Sequence, residues 1–179
     1  MGEFPEFLHR KARLSDIAGL LRLINGFAAR GIMLPRTELE LAENIRDFTL
    51  ITSADQIVGC GALHIYTAQT AEVRSLAVDP AFQKHGVGAR IMDALESEAR
   101  AFDLHAIFAF TYVPGFFRKM GYREVDRGEL PLKAWKDCLK CPKFQACDEI
   151  AMFKSLHPSF ALGRDATVSE LVPLPVLKH

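Results

Sequence analysis

Apolar positions recur along this chain with two different periods, and the switches between them lay out its elements. After an extended lead-in at His9–Arg13, the residues Ile17, Leu20, Leu21, Ile24 and Phe27 fall at helical spacing, with Ser15 and Asp16 placed to cap the helix they predict. Gly31 and Pro35 break the pattern, so Gly31–Arg36 is expected to be a loop. Thr37 with Glu40 three residues on forms a capping-box pattern and predicts a second helix to about Ile45. Three runs rich in β-branched and aromatic residues follow, Phe48–Ser53, Ile57–Tyr66 and Thr70–Val78; they predict an antiparallel meander. Asp79-Pro80 closes the third run, and Val87–Phe102 returns to helical spacing through Ile91, Ala94, Leu95, Glu98 and Phe102. A strand at His105–Phe110, a helix at Pro114–Met120 with Gly121 past its end, and a late strand at Glu149–Phe153 complete the reading. The order β-α-α-β-β-β-α-β-α-β predicts an α/β (α+β) fold, a mixed sheet with helices on both faces.

The remaining segments carry little pattern. Glu129–Cys147 is irregular and charged, and the tail from His157 holds Pro158, Pro173 and Pro175 without periodicity. With no internal repeat in 179 residues, the expectation is one domain over residues 1–157 and a proline-containing tail over 158–179.

Charge and composition narrow the partners. The 22 basic residues balance the 22 acidic ones, which leaves no overall basic field to collect nucleic acid or anionic lipid and favours a small-molecule ligand. No apolar run approaches the roughly 20 residues that cross a bilayer, and the start MGEFPEFLHRKAR lacks a signal peptide's apolar stretch, so a cytoplasmic protein is expected. Oligomeric state is left open, with a homodimer among the options. Cys138, Cys141 and Cys147 have the spacing Cys-x2-Cys-x5-Cys, to which Asp148 or His157 could add a fourth zinc ligand. The second paired knuckle of a zinc site is missing, and three free thiols are the favoured reading.

The most informative stretch runs from Glu72 to Arg90, Glu-Val-Arg-Ser-Leu-Ala-Val-Asp-Pro-Ala-Phe-Gln-Lys-His-Gly-Val-Gly-Ala-Arg. A strand leads through a turn into a glycine-punctuated loop that opens a long helix. Gly86 and Gly88 let backbone approach a ligand closely, and the helix start offers N–H groups and partial positive charge to a pyrophosphate. Gln83, Lys84 and His85 add side-chain donors. One strand later comes Phe-Phe-Arg-Lys-Met-Gly-Tyr at Phe116–Tyr122.

This arrangement resembles the GNAT acetyltransferases, whose Gln/Arg-x-x-Gly-x-Gly/Ala motif is matched by Gln83, Gly86 and Gly88 over a likeness spanning about Arg10–Leu156. The resemblance implies a splayed sheet of six to seven strands, with acetyl-CoA as co-substrate lying where the fourth and fifth strands part. Leu76, Ala77 and Val78 would then bind the pantetheine arm, and Gln83 to Ala89, including Val87, would surround the phosphates. An N–H near Leu76 or Ala77 would polarise the thioester carbonyl. Glu72 falls where many such enzymes carry the base that frees the amine, although it could equally be a solvated strand residue. The position of their catalytic tyrosine is held here by Phe117, which cannot donate a proton. Thr111 and Tyr112 are the candidate replacements, each with a plain strand-end role as the alternative.

Flanking segments are more particular. Met33-Leu-Pro-Arg-Thr37, Phe108-Ala-Phe-Thr111 and Glu129-Leu-Pro131 resemble the acetyltransferase domain of N-acetylglutamate synthases, in a short form without the amino-acid-kinase domain. That likeness implies transfer to the α-amino group of L-glutamate, the first step of arginine biosynthesis. Arg36 matches the family's substrate arginine, with Leu34 beside it. Arg74 and Ser75 on the same strand as Glu72, and Lys143 in the irregular segment, are further candidates for the two carboxylates. A salt bridge from Arg74 to Glu72 is the alternative for that arginine. Rival functions are a GNAT enzyme for another amino acid or amine, and a non-catalytic acyl-CoA-binding sensor, which Phe117 keeps open.

Overall fold

In the computed structural model, which describes residues 6–130 and 148–160, the three predicted β runs form the antiparallel meander β2 (Phe48–Ser53), β3 (Gln56–Ile65) and β4 (Thr70–Val78). The lead-in becomes β1 (Leu8–Lys11) along the β2 edge, and β5 (Ala106–Thr111) lies parallel to β4. Past β5 sit a short β6 (Arg123–Val125) and β7 (Ile150–Ser155), with β7 inserted between the two. The result is an open seven-stranded sheet in the order β1-β2-β3-β4-β5-β7-β6. Periodicity missed β6 because its three residues have no apolar run; it exists because β7 offers it a ladder, Arg123 opposite Phe153 and Val125 opposite Ala151.

Helices cover both faces. On one lie α1 (Ile17–Ala28) and α2 (Glu38–Glu43), packing Leu20, Ile24 and Leu41 on Leu50, Cys60, Ala62 and Ala77. The capping box forms as expected, with Glu40 N–H donating to Thr37 Oγ1 (3.2 Å) and Thr37 N–H to Glu40 Oε2 (2.9 Å). At α1 the expected cap does not form. Asp16 instead closes a 3-10 turn at Leu14–Asp16, accepting from Arg13 N–H (2.7 Å) and from both terminal nitrogens of Arg10, whose hydrogen bonds hold its carboxyl below the usual range.

The opposite face carries α3 (Val87–Ala101) and α4 (Pro114–Lys119), with Val87, Ile91, Met92, Leu95 and Phe117 in one core with Val58, Val73 and Ile107. Each large side chain buried there contributes about 1.5–3 kcal/mol. Two residues set how near α3 comes to the sheet: a Cβ on Gly59 would meet Val87 Cγ1 at 2.8 Å, and one on Gly61 would meet Ile91 Cγ2 at 2.7 Å. Their missing side chains seat the start of α3 directly on β3, beside the end of β4. None of the helices among the described residues is long and apolar enough to cross a membrane. Cys138, Cys141, Cys147, Lys143 and most of the 158–179 tail lie outside the described residues.

Candidate active site

Strands β4 and β5 are paired at Thr70–Ala106, Ala71–Ile107 and Glu72–Phe108, and at no later residue. Beyond Glu72 the β5-facing edge of β4 has no strand partner among the described residues, and a cleft of about 750 Å³ opens there. An unpaired strand edge is a row of N–H and C=O groups that an extended ligand can satisfy.

A bulge shapes this edge. Ala62 lies opposite Arg74 but Cys60 lies opposite Ala77, so Ser75 and Leu76 share one partner position, and Ser75 takes a left-handed φ of 54°. Side-chain alternation shifts in consequence. Ala77 packs with Cys60 and Ala62 under α1, whereas Leu76 and Val78 turn toward α3. Two contacts hold the strained residue: Cys60 Sγ donates to Ser75 O at 3.5 Å, and Arg36 Nε donates to Ser75 Oγ at 3.4 Å. Burial pushes the Cys60 thiol up to about 12, so it stays protonated and is no nucleophile at neutral pH.

The glycine-rich loop forms one wall. Gly86 has φ 78°, a conformation that side chains disfavour, and the first helical hydrogen bond runs from Arg90 N–H to Gly86 O at 3.0 Å. Helix geometry leaves the N–H groups of Val87, Gly88 and Ala89 without intrahelical acceptors, and all three residues line the cleft with Gln83 and Lys84. His85 does not line it; its Nδ1 lies 2.8 Å from Gln83 O, folded onto the loop.

The opposite wall carries Arg36. Asn25 of α1 clamps its backbone from both sides, Arg36 N–H donating to Asn25 Oδ1 and Asn25 Nδ2 to Arg36 O, each at 2.9 Å. Leu34, Arg36, Glu72, Arg74, Ser75, Thr111 and Tyr112 all line the same cleft. Thr111 Oγ1 accepts from Val113 N–H at 3.0 Å, a turn role that still leaves the hydroxyl proton able to donate. Phe117 is core: 3% exposed, with edge-on contacts to Phe116 and Tyr122.

Three features lay beyond sequence reasoning. Arg127, held by a turn that Asp126 caps, lines the cleft, donates to Glu149 O and lies over the Phe110 ring. Tyr66, just past β3, donates to Glu72 Oε2 at 2.8 Å, and Arg74 Nη1 donates to the Tyr66 hydroxyl at 3.4 Å. The cleft is also basic although the chain is neutral: Arg30, Arg36, Arg74, Lys84, Lys119 and Arg127 line it against Glu72 and Glu149. Total charge cannot reveal such a concentration, which the fold makes by bringing distant residues together. No group of three or more metal-ligating side chains occurs among the described residues.

A sheet parted at β4 and β5, with a glycine-opened helix start at the gap, leaves a cleft suited to an extended ligand with an anionic end. Comparison with known proteins agrees. The profile of the acetyltransferase (GNAT) family matches residues 27–122. An uncharacterized N-acetyltransferase of Chlorobaculum tepidum is 42% identical over 147 residues, covering 82% of this chain and 95% of the relative. The amino-acid acetyltransferase of Mycobacterium tuberculosis is 35% identical over 120 residues, 65% of this chain and 68% of that one. Among solved structures, the N-acetylglutamate synthase of Neisseria gonorrhoeae complexed with coenzyme A and N-acetyl-glutamate superposes with a TM-score of 0.78 at 25% identity, over 87% of this chain. This chain spans only 36% of that longer protein. The chain belongs to the GNAT acetyltransferase family.

Proposed function

We propose that the chain transfers the acetyl group of acetyl-CoA to the α-amino group of L-glutamate, the reaction that opens arginine biosynthesis. The observation that carries this reading is a backbone-clamped Arg36 facing the same cleft as Glu72, beside the open β4 edge. Names of relatives support it: amino-acid acetyltransferases recur, and a structural neighbour holds N-acetyl-glutamate.

The roles follow from chemistry. Leu76, Ala77 and Val78 offer an unpaired backbone edge to the pantetheine amides, while Gln83, Lys84 and the first turn of α3 receive the phosphates. Arg36 takes one carboxylate of glutamate, and Arg74 or Arg127 is within the cleft for the other. The ammonium of glutamate gives one proton to Glu72, directly or through a water; the freed lone pair attacks the thioester carbonyl carbon. The N–C bond forms, backbone N–H groups of β4 stabilise the oxyanion, and its collapse breaks the C–S bond. The second proton on nitrogen leaves with the thiolate, for which the hydroxyls of Thr111 and Tyr112 can relay it. Tenancy of the tyrosine position by Phe117 is compatible with this, because a thiolate leaves well even before protonation.

A thiol-release assay with acetyl-CoA against glutamate, glutamine, aspartate, other amino acids and polyamines tests the reading. Glutamate should exceed glutamine in kcat/KM by about tenfold or more, the value of one charge-assisted contact. Equal rates on glutamate and on an amine without any carboxylate would overturn it.

A further inference from the structure

We propose that Tyr66 is a positioning residue of the acetyl transfer, holding Glu72 in its ionised, proton-accepting form from behind the cleft. The inference rests on the reading of Glu72 as the base, and it adds a residue set back from the cleft lining. Glu72 lines the cleft; Tyr66 does not. Its hydroxyl reaches Glu72 Oε2 at 2.8 Å, a phenol-to-carboxylate hydrogen bond that favours the charged form. Arg74 Nη1, 3.4 Å from the same hydroxyl oxygen, places positive charge behind the phenol and makes it a better donor.

The fold aims the ring closely. Tyr66 N–H donates to Thr70 O at 3.0 Å in the turn between β3 and β4, which sets the backbone. The ring then sits between His64, edge-on at 5.0 Å, and Phe108 at 5.7 Å. Such packing leaves the phenol few rotamers, so the hydrogen bond to Glu72 costs little further ordering. Glu72 itself is only 8% exposed, an environment that by burial alone would raise a carboxyl's affinity for its proton. A donor from behind offsets that tendency without occupying the acceptor site.

Other charged groups face this carboxylate. His64 is its cross-strand partner on β3, with Nδ1 2.7 Å from Asp47 Oδ2 behind it. Arg74 lies on its own strand, Phe108 of β5 is uncharged, and Arg30, Arg36, Lys119, Arg127, Glu149 and Tyr112 line the same cleft. The test must therefore separate Glu72 from these neighbours.

The experiment is the pH dependence of kcat/KM for glutamate at saturating acetyl-CoA. Tyr66→Phe keeps the ring and removes the donor; the carboxylate becomes easier to protonate, and the acidic limb should move up by about one pH unit. Replacing Tyr66 with 3-fluorotyrosine, a more acidic phenol and stronger donor, should move the limb down. The KM for acetyl-CoA and the unfolding midpoint should stay near wild type in both. A purely structural role would lower stability without moving the limb in opposite directions, and that result overturns the proposal. Glu72→Gln is run alongside. If it abolishes the limb while Tyr66→Phe leaves the limb in place, the Tyr66 inference falls and the Glu72 reading stands; if the limb survives Glu72→Gln, both fall. Should Tyr66→Phe fold poorly, the fluorinated protein decides alone.

Discussion

Strands β4 and β5 run side by side for three residue pairs and then part, and the two ends of this one strand pair behave as different materials. At the paired end Ala71, Ala106, Ile107 and Phe108 are fully buried, and the backbone groups satisfy one another. At the parted end the same strands present backbone, Ser75 and Thr111 to a basic cleft. Composition alone does not explain the contrast, because each end mixes apolar with polar residues, Thr70 and Glu72 at one and Arg74, Ser75 and Thr111 at the other. The bulge at Ser75 does: it adds a residue to β4 and strains one φ, bending the edge away from β5. Glu72, paired with Phe108, sits at the boundary, nearly buried yet still lining the opening.

If the two ends differ as described, substitutions at the paired end should cost stability and those at the open end should cost catalysis. The largest expected effect is Phe108→Ala. It empties a fully buried ring site and should lower unfolding free energy by about 3–5 kcal/mol in a denaturant titration. A loss within experimental error would mean that the paired end is not core.

At the open end, Arg36→Ala should raise the KM for glutamate by roughly ten- to a hundredfold, from about 1.5–3 kcal/mol of charge-assisted bonding. The KM for acetyl-CoA and the unfolding midpoint should barely change, because the side chain crosses the cleft to Ser75 and not to the glycine loop. A parallel rise in both KM values would show the two binding regions to be one.

Gly86→Val should act on the co-substrate instead. No atom lies within 4 Å of a Cβ there, so the cost comes from φ 78°, about 1–3 kcal/mol of backbone strain that a branched residue relieves by moving the loop. The KM for acetyl-CoA should rise about tenfold with glutamate binding preserved. Calorimetric affinity equal to wild type in the folded variant would remove the loop from the phosphate site.

The smallest effect should come from Ser75→Gly, which relieves the left-handed strain and removes the hydroxyl partner of Arg36. Stability should rise by up to about 1 kcal/mol while the KM for glutamate rises a few-fold. A fall in both stability and glutamate KM would contradict the idea that the bulge stores strain for the site.

Local pattern was enough for the elements it governs. The capping box at Thr37, the three meander runs and the helix from Val87 were legible because hydrogen bonds and apolar spacing within a few residues decide them. So was the glycine loop, since backbone freedom at Gly86 is a property of that residue alone. Asp16 was misassigned as a helix cap because Arg10 competes for its carboxylate, and a six-residue separation lies outside the capping pattern.

By itself, then, the sequence determined the class of fold, the glycine loop before α3 and the identity of Glu72 and Arg36 as candidates. Only the tertiary structure decided that β6 pairs with β7, that His85 turns from the cleft, and that Tyr66 stands behind Glu72 with Arg74 behind it. It alone collected Arg30, Lys119 and Arg127 around one opening in a chain of zero net charge. The physical reason is range. Propensity and periodicity act over a turn or a strand, whereas a hydrogen bond between side chains and the field in a cleft depend on which distant segments the packed core brings together.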